Sequence, residues 1–111
     1  MSIDESKMLL KIGESGQMDM SGKTVMITGA SRGIGAEAGR VFAAAGANVA
    51  LVARSQDAIA ELAQEIGPKA IAITCNVARF GEVAAAVETT AQAFGGMDVM
   101  INNAGAIEPI A

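Results

Sequence analysis

Residues Thr28 to Gly35 read TGASRGIG, and the fold of this 111-residue chain turns on what that stretch is. Gly29, Gly33 and Gly35 stand in G-x-x-x-G-x-G spacing. On the amino side, Lys23 to Thr28 (KTVMIT) is a short β-type run. On the carboxyl side, Ile34, Ala38, Val41, Phe42 and Ala45 recur at helical spacing until Gly46, a residue type that commonly closes helices. A glycine-rich loop between a strand and a helix places the first N–H groups of the helix against an anion, aided by the helix dipole. Gly29 allows the tight turn out of the strand. Gly33 lets backbone approach a pyrophosphate, and Gly35 lets the helix pack closely on the sheet. A purely architectural turn has no need of the polar and cationic pair Ser31-Arg32.

Working outward, the alternation of strand and helix continues. Asn48 to Ala53 (NVALVA) is almost continuously apolar, as strands covered on both faces are. Ser55 is the expected N-cap of a helix through Ile66 that Gly67-Pro68 ends. Lys69 to Thr74 (KAIAIT) is a third strand. Phe80 to Phe94 is a third helix with Val83, Val87, Ala91 and Phe94 on one face, and Asp98 to Asn102 (DVMIN) is a fourth strand. The βαβαβαβ order points to an α/β fold with a parallel sheet and helical crossovers on both faces. It is half of a doubly wound sheet, with spatial strand order 3-2-1-4. The winding reverses between the first and fourth strands, so a ligand crevice opens at their carboxyl ends, beside Gly29 and Asn102 to Gly105.

Residues 1–20 read as a flexible tail, set apart from a domain over 21–111. Ser2 and Glu5 suit a capping box for a short amphipathic turn carrying Met8, Leu9 and Ile12, with Gly13 as its stop. The segment also reads as a leader upstream of a start near Met18 or Met20. Asp4, Glu5, Lys7 and Lys11 interrupt any signal-peptide core, no apolar stretch approaches the ~20 residues of a membrane span, and a cytoplasmic setting is expected.

Composition narrows the function classes. The apolar share of 51% with 18% charged residues fits an ordered domain. A net charge of -4 and the absence of Trp and Tyr argue against nucleic acid and anionic membranes as partners. No His is present, which removes the commonest metal ligand and general base, so no metal site is expected. The single Cys75 ends an apolar run and reads as a buried, inert thiol.

Ser21-Gly22-Lys23-Thr24 mimics the end of a Walker A loop. The glycine required five positions before Gly22 is instead Gln17, and a strand follows this stretch where one should precede it. The end of the second strand carries more information. A dinucleotide site selecting a free ribose 2′-OH usually has Asp or Glu there, whereas here the run is Ala53-Arg54-Ser55 with no acid before Asp57. Arg54 suits a 2′-phosphate, and Arg32 points to the same region; two cations and no acid favour NADP(H) over NAD(H). After the third strand, Asn76-Val77 is placed to meet the adenine, with a turn-forming Asn as the plainer alternative. Asn102-Asn103-Ala104-Gly105 forms the other wall, where amides tie adjacent strands together and small residues admit a ribose.

Taken together, these residues resemble the short-chain dehydrogenase/reductase family. TGASRGIG matches its TGxxxGxG cofactor loop, INNAGA contains its NNAG motif, and the resemblance covers about residues 18 to 111. It implies that 21–111 is the N-terminal part of an NAD(P)-binding Rossmann domain. It further implies an oxidoreductase that moves hydride between nicotinamide and a carbonyl or alcohol substrate. Cofactor roles carry over to Gly29, Ser31, Arg32, Gly33, Ile34, Gly35, Arg54, Asn76, Val77, Asn103, Ala104 and Gly105. Asn76 departs from the Asp most often found at its position. The family's YxxxK motif lies beyond NNAG, and the chain holds no Tyr, so no catalytic residue is assigned and no turnover is expected of the chain alone. The fourth strand is expected to present a bare edge, a liability for aggregation. Homo-oligomerisation is left open. The alternative is a non-catalytic nucleotide-binding or interaction module, or a truncated remnant.

Overall fold

The computed structural model describes residues 2–3 and 19–103. These form, in chain order, β1 (Ser2–Ile3), β2 (Thr24–Thr28), α1 (Gly33–Ala44), β3 (Asn48–Ala53), α2 (Gln56–Ile66), β4 (Ala70–Thr74), α3 (Phe80–Phe94) and β5 (Val99–Asn102). Every element expected after residue 20 is present, with ends within one residue of those read from the sequence. The sheet order is β1-β5-β2-β3-β4, and every pairing is parallel. The strands from β2 onward therefore lie in the order 3-2-1-4.

β2 and β3 look uniformly apolar because their side chains find cover on one face or the other, whereas Ala72 and Thr74 of β4 and Asn102 of β5 stay exposed. Val25, Ile27, Val49, Leu51, Ala53, Val99 and Ile101 point to the face of α1 and α2, where Ala38, Phe42, Ile59 and Leu62 close the layer. The intervening Met26, Ala50 and Val52 point to the opposite face, with Cys75 just after β4 and Ala86 of α3. That alternation is the period of two of a strand, read on a sheet buried from both sides. β2 and β5 lie far apart in sequence, yet their register is fixed at the amino end by Asp98. Its carboxylate accepts the Thr24 N–H at 2.9 Å, and its own N–H donates to Thr24 O at 2.9 Å.

Four expectations are adjusted by the structure. The β5 edge is not bare: Ser2 and Ile3 pair with Met100 and Ile101. Ser2, expected to cap a short turn, thus belongs to a strand, while the rest of that turn (Met8, Leu9, Ile12 and Gly13) lies outside the described residues. Ile34 is 48% exposed and contributes nothing to the core, because it sits in the first turn of α1, above the sheet end. In α3 the buried line is Ala86 and Thr90, with Val83 and Val87 packed beside it. The small Ala86 lets the helix approach the sheet, and Thr90 satisfies its own hydroxyl on Ala86 O at 2.8 Å.

Phe42 is fully buried whereas Phe80 is 86% exposed. Phe42→Ala should therefore cost about 3–5 kcal/mol in urea unfolding, a large share of the stability of a small domain. Phe80→Ala should stay within about 0.5 kcal/mol.

Candidate functional site

The carboxyl ends of β2, β3 and β5 lie side by side, with Thr28 paired to both Val52 and Asn102. Above them runs the glycine loop. Gly29 and Gly33 have φ of +66° and +62°, a region that L side chains rarely adopt, and these two turns carry the chain from β2 over the strand ends into α1. Ala30 N–H donates to Val52 O at 3.1 Å and fastens the loop to β3.

The first turn of α1 is arranged unlike those of the other described helices. No acidic residue stands in it; its N-cap is Arg32 and, as at the other described N-caps Ser55 and Arg79, the side chain makes no capping bond. In contrast, α2 and α3 carry Asp57 and Glu82 in their first turns. The first N–H groups of a helix have no partner inside it, and the dipole makes that end electropositive. A cation at such an end is unfavourable unless an anion sits there. This donor set fits a phosphate, and glycines in the loop leave its approach free of side chains: a Cβ on Gly33 would point into open space.

A knot of hydrogen bonds holds the loop to β5. Thr28 Oγ1 accepts the Asn103 N–H at 3.0 Å, and lies 3.3 Å from Ile101 O and from Asn102 Oδ1, either of which can take its proton. Asn103, only 2% exposed, donates from Nδ2 to Gly29 O at 3.0 Å. Gly35 leaves the space for that bond. A Cβ there would collide with Gly29 O and stand 2.6 Å from Asn103 Nδ2. The sequence assigned Gly35 to helix–sheet packing; what it admits most closely is the loop carbonyl and the Asn103 amide.

At the far wall, Arg32 and Arg54 are both exposed and follow the ends of the neighbouring strands β2 and β3. Ser31 is half-buried. Ser55 stands at the N-cap of α2 as expected, although its side chain makes no capping bond. After β4, Cys75 N–H donates to Ala53 O at 2.9 Å, and Val77 packs partly against the α3-side core. Ala104 and Gly105 lie outside the described residues.

Glu82 was not singled out from the sequence. One carboxylate oxygen accepts the Asn76 N–H at 2.8 Å, and the other meets the exposed Arg79 guanidinium at 3.4 Å, so it clasps the turn that follows β4. Its signal was available: it stands three residues after Arg79, the N-cap of α3, where a carboxylate reaches back to backbone donors. Burial pushes the Cys75 thiol above its ordinary range, and the Glu82 carboxylate adds to the effect. The neutral thiol is thus the favoured form, in keeping with an inert core residue. Among the described residues, no group of three or more Cys, Asp or Glu side chains could hold a metal ion.

The match to known proteins falls on this frame. The family model of the short chain dehydrogenases fits residues 23–111. The chain belongs to that family. Among curated short-chain dehydrogenase relatives, momilactone A synthase from Oryza sativa subsp. japonica is 47% identical over 90 residues, which make up 79% of this chain and 32% of that protein. Dehydrogenase/reductase SDR family member 7B from Bos taurus is 42% identical over 90 residues, covering 73% of this chain and 28% of that protein. Among solved structures, the 3-ketoacyl-(acyl-carrier-protein) reductase from Brucella melitensis, complexed with NADH, is similar with a TM-score of 0.73 at 33% identity. The match covers 82% of this chain and 41% of that one. The chain spans 28% and 32% of the length of the two curated relatives, and it shares their oxidoreductase family and Rossmann-type fold.

Gly35→Ala should lower stability by about 1–3 kcal/mol in chemical unfolding, since backbone stands where the methyl would go. Asn103→Ala, which strips the partly buried Gly29 carbonyl of its donor, should cost a similar ~1–3 kcal/mol. For Cys75, whose folded pKa is raised, the stability contribution is complete below the unfolded thiol pKa and is lost as pH rises through the folded value. Iodoacetamide labelling at mildly alkaline pH should accordingly be slow in the native chain and fast in urea.

Proposed function

We propose that the crevice above β2, β3 and β5 binds a nicotinamide dinucleotide, NADP(H) in preference to NAD(H). It would serve as the cofactor-binding part of an oxidoreductase acting on a carbonyl or alcohol substrate. The observation that carries the reading is the uncapped, acid-free amino end of α1, with a cation at its N-cap. Such an end suits the pyrophosphate, and Gly29, Ser31, Gly33 and Gly35 supply the backbone that would cradle it. Ile34, exposed on the first turn of α1, is assigned to the nicotinamide side, and Asn103, Ala104 and Gly105 to the adjoining ribose. Asn76 and the backbone of Val77 are assigned to the base at the opposite end. When bound, the nicotinamide supplies the hydride chemistry. What these 111 residues contribute is binding and orientation.

The preference for a 2′-phosphate rests on Arg32 and Arg54. Both follow the ends of neighbouring strands, and the run from Ala53 to Gln56 contains no carboxylate to repel a phosphate. The Brucella melitensis reductase holds NADH, which supports a nicotinamide dinucleotide without bearing on the phosphate. The dinucleotide-binding unit is assigned to 21–111, with residues 1–20 as an appendage. Cytoplasmic placement belongs to the same proposal. Among the described residues, no helix is long and apolar enough to cross a membrane. With neither Tyr nor His in the sequence, no ready acid or base serves a substrate oxygen, and turnover by the chain alone is not expected.

Calorimetric titration tests the proposal. NADPH should bind about tenfold or more tightly than NADH, the value of a charge-assisted bond to a phosphate. Arg32→Ala and Arg54→Ala should each shrink that ratio. Equal affinities, or tighter NADH binding, would refute the roles of both arginines. Oxidation of NADPH by the chain with a simple diketone should stay at background, and measurable turnover would overturn the assignment of catalysis to residues outside it.

A further inference from the structure

β5 is built as an interior strand, yet on one side it meets only two residues. Val99 and Ile101 are buried, no proline or charged residue stands between Val99 and Asn102, and β2 pairs along the whole strand. In a doubly wound sheet the strand at this position has further strands on its far side. Here that side is taken by β1, whose Ser2 and Ile3 pair parallel with Met100 and Ile101. Among the described residues, no other strand lies along it. An apolar strand edge offers a row of backbone donors and acceptors to any extended chain, and natural proteins blunt such edges with charge, proline or a cover. β5 has only the cover. It is a weak one, because a strand of two residues makes too few ladder bonds to resist local opening.

We infer that β1 is a removable guard on the β5 edge, and that a second copy of this chain pairs there when β1 lifts. This holds whether or not the crevice takes a dinucleotide. Two β5 strands would join antiparallel about a two-fold axis normal to the sheet, the closed and self-complementary arrangement favoured in homodimers. Opposed residues then lie on the same face of the joined sheet, since strand side chains alternate. Val99 and Ile101 share the face of α1 and α2, and Met100 lies on the other. With Met100 opposite its own counterpart, Val99 faces Ile101 and Asp98 faces Asn102. The one carboxylate at this edge therefore meets an amide and not a second carboxylate, and within its own copy it accepts the Thr24 N–H. An edge so matched carries no like-charge penalty against itself, which is what selects a second copy as the occupant.

Light scattering on size-fractionated samples compares the full chain, a chain beginning at Met18, and the full chain carrying Ser2→Pro with Ile3→Pro, which denies β1 its ladder donors. The full chain should run as a monomer. Both variants should dimerise, with a dissociation constant about tenfold or more lower than that of the full chain. Circular dichroism reports whether each is folded, and the proline variant decides the matter if the shortened chain is not. Met100→Lys, added to a dimerising variant, sets like charges opposite each other and should return it to monomer. Equal mixing with the Met100→Glu form should restore the pair. A folded variant that stays monomeric without β1 overturns the inference. So does a dimer indifferent to Met100→Lys, since it would use another surface. A full chain already dimeric overturns it too, and loss of that dimer together with β1 would make β1 a bridge between copies. Unfolding of both variants would show that β1 belongs to the core and is no removable guard.

Discussion

The donation from Asn103 Nδ2 to Gly29 O joins the two ends of the chain's logic. Its partners are 74 residues apart, one just past β2 and the other just past β5. These strands lie where the winding of the sheet reverses, so the bond crosses the mouth of the crevice. It exists because Gly35 has no side chain, and it is reinforced by Thr28 Oγ1, which takes the Asn103 N–H. A buried amide and a partly buried carbonyl satisfy each other there, which avoids the penalty that either would incur alone. The loop is consequently held in shape before any ligand arrives. Its positive-φ turns, its attachment to β3 through Ala30, and the aim of α1 all follow from that anchoring.

Electrostatics then separates one helix end from the other two. Asp57 and Glu82 occupy the first turns of α2 and α3, the arrangement favoured by the helix dipole. Arg79 at the N-cap of α3 is met by Glu82, whereas α1 has no acid in its first turn to offset its N-cap Arg32. Taken as a stability choice, that is unfavourable; taken as a receptor for an anion, it is consistent, because the ligand provides the missing negative charge. The local rule is broken beside the crevice that the reversal of winding opens. Family membership on the match over residues 23–111 agrees with this placement without being needed for it.

Much of this was legible in one dimension. The apolar runs of β2, β3 and β5, the helical spacing around Phe42, and the stops at Gly46 and Gly67 fix elements whose signals are local, so their order and ends could be read directly. The loop residues were also legible, since glycine spacing between a strand and a helix has few other uses. Less visible was which side chain each element would bury. Ile34 fits the helical period of α1 but lies above the end of the sheet, and α3 buries Ala86 and Thr90 most deeply, with Val83 and Val87 of the expected face packed beside them. The pairing of Ser2 and Ile3 along β5 had no sequence signal, because two residues are too few to show a period.

The sequence by itself determined the alternation of strands and helices, the sheet order they impose, and the place of the glycine loop between β2 and α1. These follow from periodicity, turn chemistry and the handedness of crossover connections, all of which act over short stretches of chain. Only the tertiary structure decided that Gly35 makes room for the Asn103 amide, that Glu82 clasps the turn after β4, and that Ser2 and Ile3 cover the edge of β5. Each of these depends on which groups stand beside a polar atom once the backbone has turned, and a backbone or amide group takes its partner from those neighbours.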